Sequence, residues 1–258
     1  MKCLLVFFLS ITVYVAEASE VVIAGDNWCP INCGKEELQQ GYMIDVARLA
    51  LKASGYPVRY EEMPWARAVA KARAGEIHAV VGAFHGDAPD FVFPLYPLLN
   101  MSSNSLFTRV ESDWRFTGLG SLEGVRLGVV KGYDYGELLN TYIASYNLDP
   151  ARVSVLAGDN PVERNIKQLL RGRIDAFVES SPVFWYTAKN LKVARLLRNA
   201  GQVGAGEECY VAFSPKRDDT QAIVAAFERG VLALSRQGKL KTLAEAYGLP
   251  GSLVPEEF

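Results

Sequence analysis

The most chemically distinctive stretch of the sequence is GDNWCPINCG, in which Trp28 stands beside two cysteines. Cys29 and Cys33 are close enough along the chain to form a short disulfide or to supply two ligands of a metal site. A metal site needs four ligands, or three and a water, and only His78 and His85 could supplement the thiolates. The residues therefore favour a disulfide beside a loop that carries a large aromatic side chain, with no metal.

The N-terminus has the features of a secretory signal peptide. Lys2 precedes the apolar run CLLVFFLSITVYVA, which is followed by the small-x-small sequence Ala16–Ala18. This run is shorter than the roughly 20 residues of a membrane-spanning helix, although an uncleaved anchor is an alternative. We expect residues 1–18 to be removed near Ala18 and the mature protein to reach the periplasm, where disulfides form. Cys209 is then expected to be a buried free thiol.

The composition indicates a globular protein and argues against several functional classes. About 240 residues follow the predicted signal peptide, which is enough for one large domain or two small lobes. The 27 basic and 29 acidic residues give a net charge of −2. This charge argues against nucleic acid as a partner, because such binding depends on a basic surface. We find no catalytic-triad spacing and no phosphate-binding glycine loop, and we expect no cofactor.

The sequence contains an internal repeat of helix and strand patterns. Two segments share one pattern, Lys71–Phe84 and Lys167–Ser180. Each contains the end of an amphipathic helix, followed by a glycine, a charged residue, an isoleucine and a short apolar strand. The glycine suits a left-handed residue after a helix, and the apolar strand suits a parallel sheet covered on both faces. Val21–Asn27 and Arg126–Gly132 match each other in the same way. The order βαβαβ therefore occurs twice.

This order predicts an α/β fold with two βαβ lobes joined by two crossing strands that form a hinge. We expect residues 19–108 and 211–258 to form a discontinuous lobe one, and residues 109–210, with the hinge crossings, to form lobe two. In the second lobe, Asn160 is expected to cap a helix, with Pro161 in its first position and Glu163 completing a capping box. Ligands of open α/β sheets bind outside the carboxyl ends of the strands, so the lobes should face each other across a ligand cleft.

Five segments occur in an order that points to a known family: GYMIDVARLAL, AGEIHAVVGAF, SLEGVRLGVVKG, LLRGRIDAFVESSP and RQGKLKTLAEAYGL. With them the chain resembles the family 3 extracellular solute-binding proteins, the periplasmic receptors of polar amino-acid ABC importers. The resemblance implies the type II periplasmic-binding-protein-like fold. It also implies a small-molecule ligand, an inner-membrane ABC permease or sensor protein as partner, and a monomer.

The resemblance further implies where the ligand is bound. Trp28 matches an aromatic residue after the first strand, and Trp65 matches the second aromatic residue that encloses the ligand side chain with it. A lobe-one loop that holds the ligand corresponds to Gly82, Ala83, Phe84 and His85. A lobe-two loop near the ligand carboxylate corresponds to Gly132–Asp134.

Both residues that usually anchor an α-amino acid in this family are different here. The family's arginine, which suits a carboxylate, would lie near Asp90, in a segment without arginine. The family's lobe-two aspartate, which takes the α-ammonium group, corresponds to Ser180. These differences argue against the usual amino-acid ligand, and a polar amino acid held by other contacts is kept as an alternative.

Other residues could replace these anchors. Arg67 could bind an anionic group or lie on a solvated helix face, and His85 could contact the ligand or only hydrogen-bond within its loop. Glu179 could bind a cation beside the two tryptophans, because aromatic faces attract cations. At least one of Tyr133 and Tyr135 is expected to reach the ligand. The predicted ligand-binding residues are Trp28, Trp65, Arg67, Gly82, Ala83, Phe84, His85, Tyr133, Asp134, Tyr135, Glu179 and Ser180.

The sequence thus predicts an exported solute-binding protein that closes two lobes on a small polar or cationic, aromatic-stacking solute and delivers it to an ABC importer. A ligand-sensing module for a membrane signalling partner is one alternative. A dehydratase-like enzyme is another, because a fold does not fix a function. Such an enzyme needs a carboxylate clamp and a general acid or base. The clamp is missing, so we expect binding without catalysis and no catalytic residues.

Overall fold

The computed structural model describes residues 20–256 of the chain. The first sheet contains β1 (Val21–Gly25), β2 (Val58–Glu62), β3 (Ala79–Ala83), β4 (Leu99–Met101) and β10 (Glu207–Phe213). The second contains β5 (Asn104–Arg109), β6 (Leu127–Val130), β7 (Val153–Leu156), β8 (Ala176–Glu179) and β9 (Leu197–Val203). The helices are α1 (Tyr42–Lys52), α2 (Trp65–Ala74), α3 (Glu137–Tyr146), α4 (Pro161–Leu170), α5 (Ser181–Asn190), α6 (Thr220–Arg236) and α7 (Lys239–Ala246).

The predicted signal peptide, residues 1–18, lies outside the described residues. Within residues 20–256, no helix is both long enough and apolar enough to cross a membrane.

The two sheets share one arrangement of strands. The strand order is β2-β1-β3-β10-β4 in the first sheet and β7-β6-β8-β5-β9 in the second. In each sheet the first three strands are parallel, and the fourth, β10 or β5, runs antiparallel to its neighbours. The predicted two-lobed α/β fold is therefore confirmed, because β1, β2 and β3 occupy the same places as β6, β7 and β8.

The central strands are buried because helices cover both faces of the sheets. Side chains alternate across a strand, and in β1 Val21 and Ile23 pack into the cluster that contains the apolar faces of α1 and α6. Val22 and Ala24 pack into a second cluster with the buried face of α2. This two-sided burial explains why the strands are apolar runs and not alternating sequences.

The chain passes between the lobes twice, at neighbouring points. β4 in the first sheet is followed by β5 in the second, and β9 in the second sheet is followed by β10 in the first. Met101 pairs with Glu207 on one side of the crossing, and Asn104 pairs with Val203 on the other. The predicted boundaries at 108 and 210 fall inside β5 and β10. We therefore propose that the lobes change at residues 102–103 and 204–206.

The start of α4 differs from the sequence prediction in one respect. Asn160 is at the N-cap position with Pro161 after it, as expected, but it makes no side-chain cap hydrogen bond. Its Oδ1 instead accepts a hydrogen bond from Asn27 Nδ2, 3.1 Å away in the other lobe. Glu163 forms an ion pair with Lys167. The predicted capping box is wrong because both side chains have other partners.

Candidate ligand cleft between the lobes

A small cavity lies between the carboxyl ends of the parallel strands of the two sheets. Residues of both lobes line it: Asp26, Trp28, Asn32, Trp65, Val81, Gly82, Phe84, Asp87, Asn104, Tyr133, Asp134, Tyr135 and Glu179. The cavity volume of about 20 Å³ is room for about one water molecule. The lobes are thus in contact across the cleft, and aromatic and acidic side chains fill most of the space between them.

A short disulfide loop holds Trp28 at this cavity. Cys29 and Cys33 are bonded, with their Cα atoms 4.3 Å apart, which confirms the predicted pairing. Next to the disulfide, the Trp28 backbone N–H donates to the carbonyl of Asn32 at 2.7 Å. Both sulfurs are used in the disulfide, so they are not available as thiolate ligands with the nearby Glu37.

The remaining cysteine of the described chain is outside the lining of this cavity. Cys209 is a buried free thiol, as expected from the sequence. Its Sγ lies 3.8 Å from Sδ of Met43, and burial raises the pKa of the thiol.

The loop packs against the end of β3 because residue 82 is glycine. A Cβ on Gly82 would lie 2.9 Å from Oδ1 of Asn32 and 3.4 Å from Cε3 of Trp28. The φ of Gly82 is also +85°, a conformation that other residues rarely adopt. The glycine therefore lets the indole of Trp28 lie directly over the end of the strand.

The indole of Trp28 links the two lobes. Its Nε1 donates a hydrogen bond to Oε1 of Glu179, at the end of β8, at 2.8 Å. Its ring meets Phe84 edge-on with centroids 6.2 Å apart, and meets Tyr133 in the same way at 6.5 Å. Trp28 thus contacts groups from three of the loops at the strand ends.

The second tryptophan and a tyrosine from lobe two complete the aromatic lining. Trp65 is the first residue of α2, and its Nε1 donates to the carbonyl of Gly132 at 3.0 Å. Tyr133 meets Trp65 edge-on at 6.4 Å, so its ring contacts both tryptophans. The Tyr133 hydroxyl donates to Oδ2 of Asp26 at 2.5 Å. The space between the tryptophans, where a stacking solute was expected, is thus shared with Tyr133.

Two aspartates meet on the other side of the cleft. Asp87 accepts a hydrogen bond from the backbone N–H of Asp134 at 3.0 Å and another from that of Phe84 at 2.9 Å. Asp134 in turn accepts from the N–H of Gly136 at 2.8 Å and from Nδ2 of Asn140 at 2.5 Å. These bonds join the loop after β3 to the loop after β6.

The cleft is acidic. Four carboxyl groups line it, on Asp26, Asp87, Asp134 and Glu179, and no lysine, arginine or histidine is among the described residues of the lining. Burial raises the pKa of Glu179 to about 8, although the hydrogen bonds from Trp28 and Ser180 act in the opposite direction. Burial likewise raises the pKa of Asp26 to about 6 and that of Asp87 to about 7. These carboxyl groups lack the cations that would normally keep them ionised.

Most of the predicted ligand-binding residues line the cavity, and four do not. Those in the lining are Trp28, Trp65, Gly82, Phe84, Tyr133, Asp134, Tyr135 and Glu179. Arg67 is exposed on α2. His85 is exposed and stacks on Phe93 with centroids 4.0 Å apart. Ala83 and Ser180 are buried next to lining residues. A role of these four residues in ligand binding stays a prediction.

The lining also contains five residues that are not among the predicted ligand-binding residues: Asp26, Asn32, Val81, Asp87 and Asn104. Asp26 directly follows β1, and Asp87 lies four residues after the end of β3, so both stand beyond the carboxyl end of a parallel strand. This position was the available signal, because polar residues there face the ligand site of an open sheet.

The family comparison agrees with this fold. A model of the bacterial extracellular solute-binding proteins, family 3, matches residues 21–250 of the chain. No significant match occurs among curated proteins.

Solved structures resemble most of the chain at low identity. A histidine kinase sensor domain with similarity to periplasmic binding proteins has a TM-score of 0.75 at 17% identity, covering 93% of this chain and 99% of that chain. A putative L-cystine ABC transporter protein from Listeria monocytogenes has a TM-score of 0.74 at 17% identity, covering 93% and 100%. An amino-acid ABC transporter substrate-binding protein from Streptococcus pneumoniae, bound to L-arginine, has a TM-score of 0.69 at 19% identity, covering 92% and 96%. At these identities the likeness shows the fold alone.

Proposed function

The chain belongs to the bacterial extracellular solute-binding proteins of family 3, and from this premise we propose that it is an exported receptor whose lobes close on a small solute and deliver it to an ABC importer. The observation that carries the proposal is the cleft itself. Side chains from the strand ends of both lobes converge there, and hydrogen bonds such as Trp28–Glu179 and Tyr133–Asp26 pass directly from one lobe to the other.

The crossings support a hinge for this closure. The segments 102–103 and 204–206 run side by side, between paired residues of both sheets. Rotation about two short neighbouring segments can open the cleft without disturbing either core. Opening is required because a cavity of about 20 Å³ is too small for an organic solute.

We propose that the receptor acts in the periplasm as a monomer, after removal of residues 1–18. The family consists of extracellular proteins, and the disulfide between Cys29 and Cys33 fits an oxidising compartment.

Binding without turnover is part of the proposal. The acidic groups of the cleft accept hydrogen bonds from Trp28, Tyr133 and a backbone N–H. Because these bonds join the two lobes, we assign the acids to closure and not to catalysis. A ligand-sensing role is the second candidate, and the likeness to a histidine kinase sensor domain favours it. Co-purification of the membrane partner separates the two roles, since an importer brings a permease and a sensor brings a signalling protein.

A thermal-shift screen of the mature protein, residues 19–258, tests receptor function. The panel contains the standard amino acids, polyamines and quaternary amines, small carboxylates, and sugars. A ligand at 100 times its dissociation constant should stabilise the fold by about 2.7 kcal/mol. For a protein of this size the melting temperature should then rise by several degrees. Receptor function is contradicted if no class of solute raises it.

A further inference from the structure

Glu179 has a buried oxygen without a partner. The residue ends β8 and is 1% exposed. Its Oε1 accepts hydrogen bonds from Trp28 Nε1 at 2.8 Å and from the Ser180 backbone N–H at 2.7 Å. Its Oε2 has no hydrogen-bond partner among the described residues. A buried acceptor without a donor is unfavourable, so this oxygen, in the cavity lining, is suited to a donor group of a ligand.

The charge around Glu179 is of one sign. Asp26, Asp87 and Asp134 also line the cavity, and none of the described residues in the lining is basic. Arg67 was considered as a residue that could bind an anionic group. It is exposed on α2 and lies outside the lining. A ligand carboxylate would enter this site as a further negative charge without a guanidinium or ammonium partner. A ligand cation would meet acidic groups, and its positive charge would favour their ionised form.

The aromatic lining also favours a positively charged ligand. Trp28, Trp65 and Tyr133 form a continuous set of edge-on contacts at the cavity, and Phe84 extends it on the lobe-one side. The faces of aromatic rings attract cations, and the attraction is larger where water is excluded. Rings and carboxylates therefore act together on a positively charged group.

From these contacts we propose that the solute bound in the cleft is an organic cation without a carboxylate group, and that Glu179 is its main charge partner. The inference rests on the proposed function of the cleft as a ligand site. Asp26 is a second charge partner, since its Oδ2 accepts from the Tyr133 hydroxyl and a cationic ligand can take over that hydrogen bond. The ligand thus carries a primary ammonium, a guanidinium or a quaternary ammonium group.

Matched pairs of compounds test the missing carboxylate directly. Isothermal titration calorimetry would compare agmatine with L-arginine, putrescine with L-ornithine, and cadaverine with L-lysine, because the members of each pair differ only by the carboxylate. Choline and its neutral isostere 3,3-dimethylbutan-1-ol would test the positive charge. We expect the amine of at least one pair, or choline, to bind at least tenfold more tightly than its counterpart.

The other outcomes distinguish a failure of the cation proposal from a failure of the proposed receptor function. If an amino acid binds as tightly as its amine, or if only neutral or anionic solutes of the wider panel bind, the cation proposal is overturned and receptor function stands. If no compound of either set binds, the proposed function itself fails and the cation proposal fails with it.

A substitution tests the role of Glu179. Glu179→Gln keeps the size of the side chain and an oxygen that can accept from Trp28, but it removes the negative charge. We expect it to weaken binding of the best amine at least tenfold while circular dichroism and melting temperature show an intact fold. Glu123→Gln is the matched control, because Glu123 is exposed in the same lobe and outside the lining. Unchanged affinity in folded Glu179→Gln would overturn the assignment.

Discussion

Glu179 differs from a carboxylate that only stabilises a fold. Structural carboxylates in a protein interior are normally paired with a cation or have both oxygens hydrogen-bonded. Here one oxygen receives two donors and the other receives none among the described residues. The residue is 1% exposed, so bulk water does not compensate. A group kept in this state is better explained by a ligand than by packing.

The raised pKa of Glu179 predicts that stability falls as pH rises. Burial moves the pKa from 4.5 to about 8, so between these values the folded protein holds a proton that the unfolded chain has lost. The stabilisation from this proton is complete below the lower value and is lost as pH rises through the upper one. We expect the melting temperature, measured without added solute, to fall by several degrees between pH 5 and pH 9.

Glu179→Gln is the control for this pH dependence. The titratable groups that face Glu179 are Asp26, Tyr133 and Tyr135. Asp26 and Asp87 have pKa values raised to about 6 and about 7, so a smaller slope should persist below neutral pH in the variant. Identical slopes in both proteins would show that Glu179 does not titrate in this range.

At the scale of residues, the sequence predicted some side chains of the cleft correctly and missed the position of others. The reason is geometric. Trp28 and Glu179 follow apolar strands at their carboxyl ends, where the chain must turn at the cleft. Arg67 stands two positions after Trp65 on α2, which is about 200° around a helix, so it faces away from the side that Trp65 buries. His85 lies outside the cavity, where its ring packs on Phe93 and meets Tyr210 edge-on. Tyr210 is 125 positions away, so this contact is invisible in local sequence.

At the scale of elements, the disulfide loop is what makes Trp28 a fixed part of the cleft. The bond between Cys29 and Cys33 and the hydrogen bond from Trp28 to Asn32 close the same short loop. A loop held in its binding conformation loses little conformational entropy when a ligand binds. The tryptophan is therefore pre-positioned for Glu179 and for the ligand.

Loss of the disulfide should weaken both the fold and the site. In the chain-entropy model a loop this short contributes about 2 kcal/mol. We expect a Cys29→Ser, Cys33→Ser double variant to lose about 2 kcal/mol in urea denaturation and to bind its best solute several-fold more weakly. Cys209→Ala is the control, because that thiol is free, buried and not part of the cavity lining. Unchanged binding by the double variant would show that the bond does not position Trp28.

The elements themselves were largely predictable, and the side-chain hydrogen bonds at their ends were less so. The glycine after the helix was read correctly: Gly75 caps α2 in the left-handed conformation, and Gly172 after α4 has a φ of +66°. Local periodicity and glycine placement report such features because their causes lie within a few residues. The first residue of α4 was predicted correctly, but its capping was misread because Asn160 bonds to Asn27 in the other lobe, a partner 133 positions away.

At the scale of the whole molecule, the repeated sequence pattern predicted two similar lobes, and the structure adds that they touch. Contacts across the cleft include Trp65 Nε1 to the carbonyl of Gly132 and the Asp134 N–H to Asp87. Which side chains meet across a hinge depends on the angle between lobes. That angle is set by contacts between distant parts of the chain, so no local pattern reveals it.

Among the described glycines, Gly86 leaves the least space for a side chain. A Cβ on this residue would lie 1.5 Å from Oδ2 of Asp134 in the opposite lobe. Asp134 cannot easily move away, because its other oxygen accepts hydrogen bonds from Gly136 and Asn140. A single added methyl group in lobe one should therefore hold the lobes apart.

Gly86→Ala is expected to shift the protein toward an open form without unfolding either lobe. Small-angle X-ray scattering should give a larger radius of gyration than for the wild type, and the best solute should bind at least tenfold more weakly because closure completes its site. Gly120→Ala is the matched control, since a Cβ there meets no atom within 4 Å. Gly86→Ala with wild-type scattering and affinity would mean that contact between these two loops is not part of ligand capture. Larger dimensions with full affinity would mean that one lobe alone supplies the binding energy.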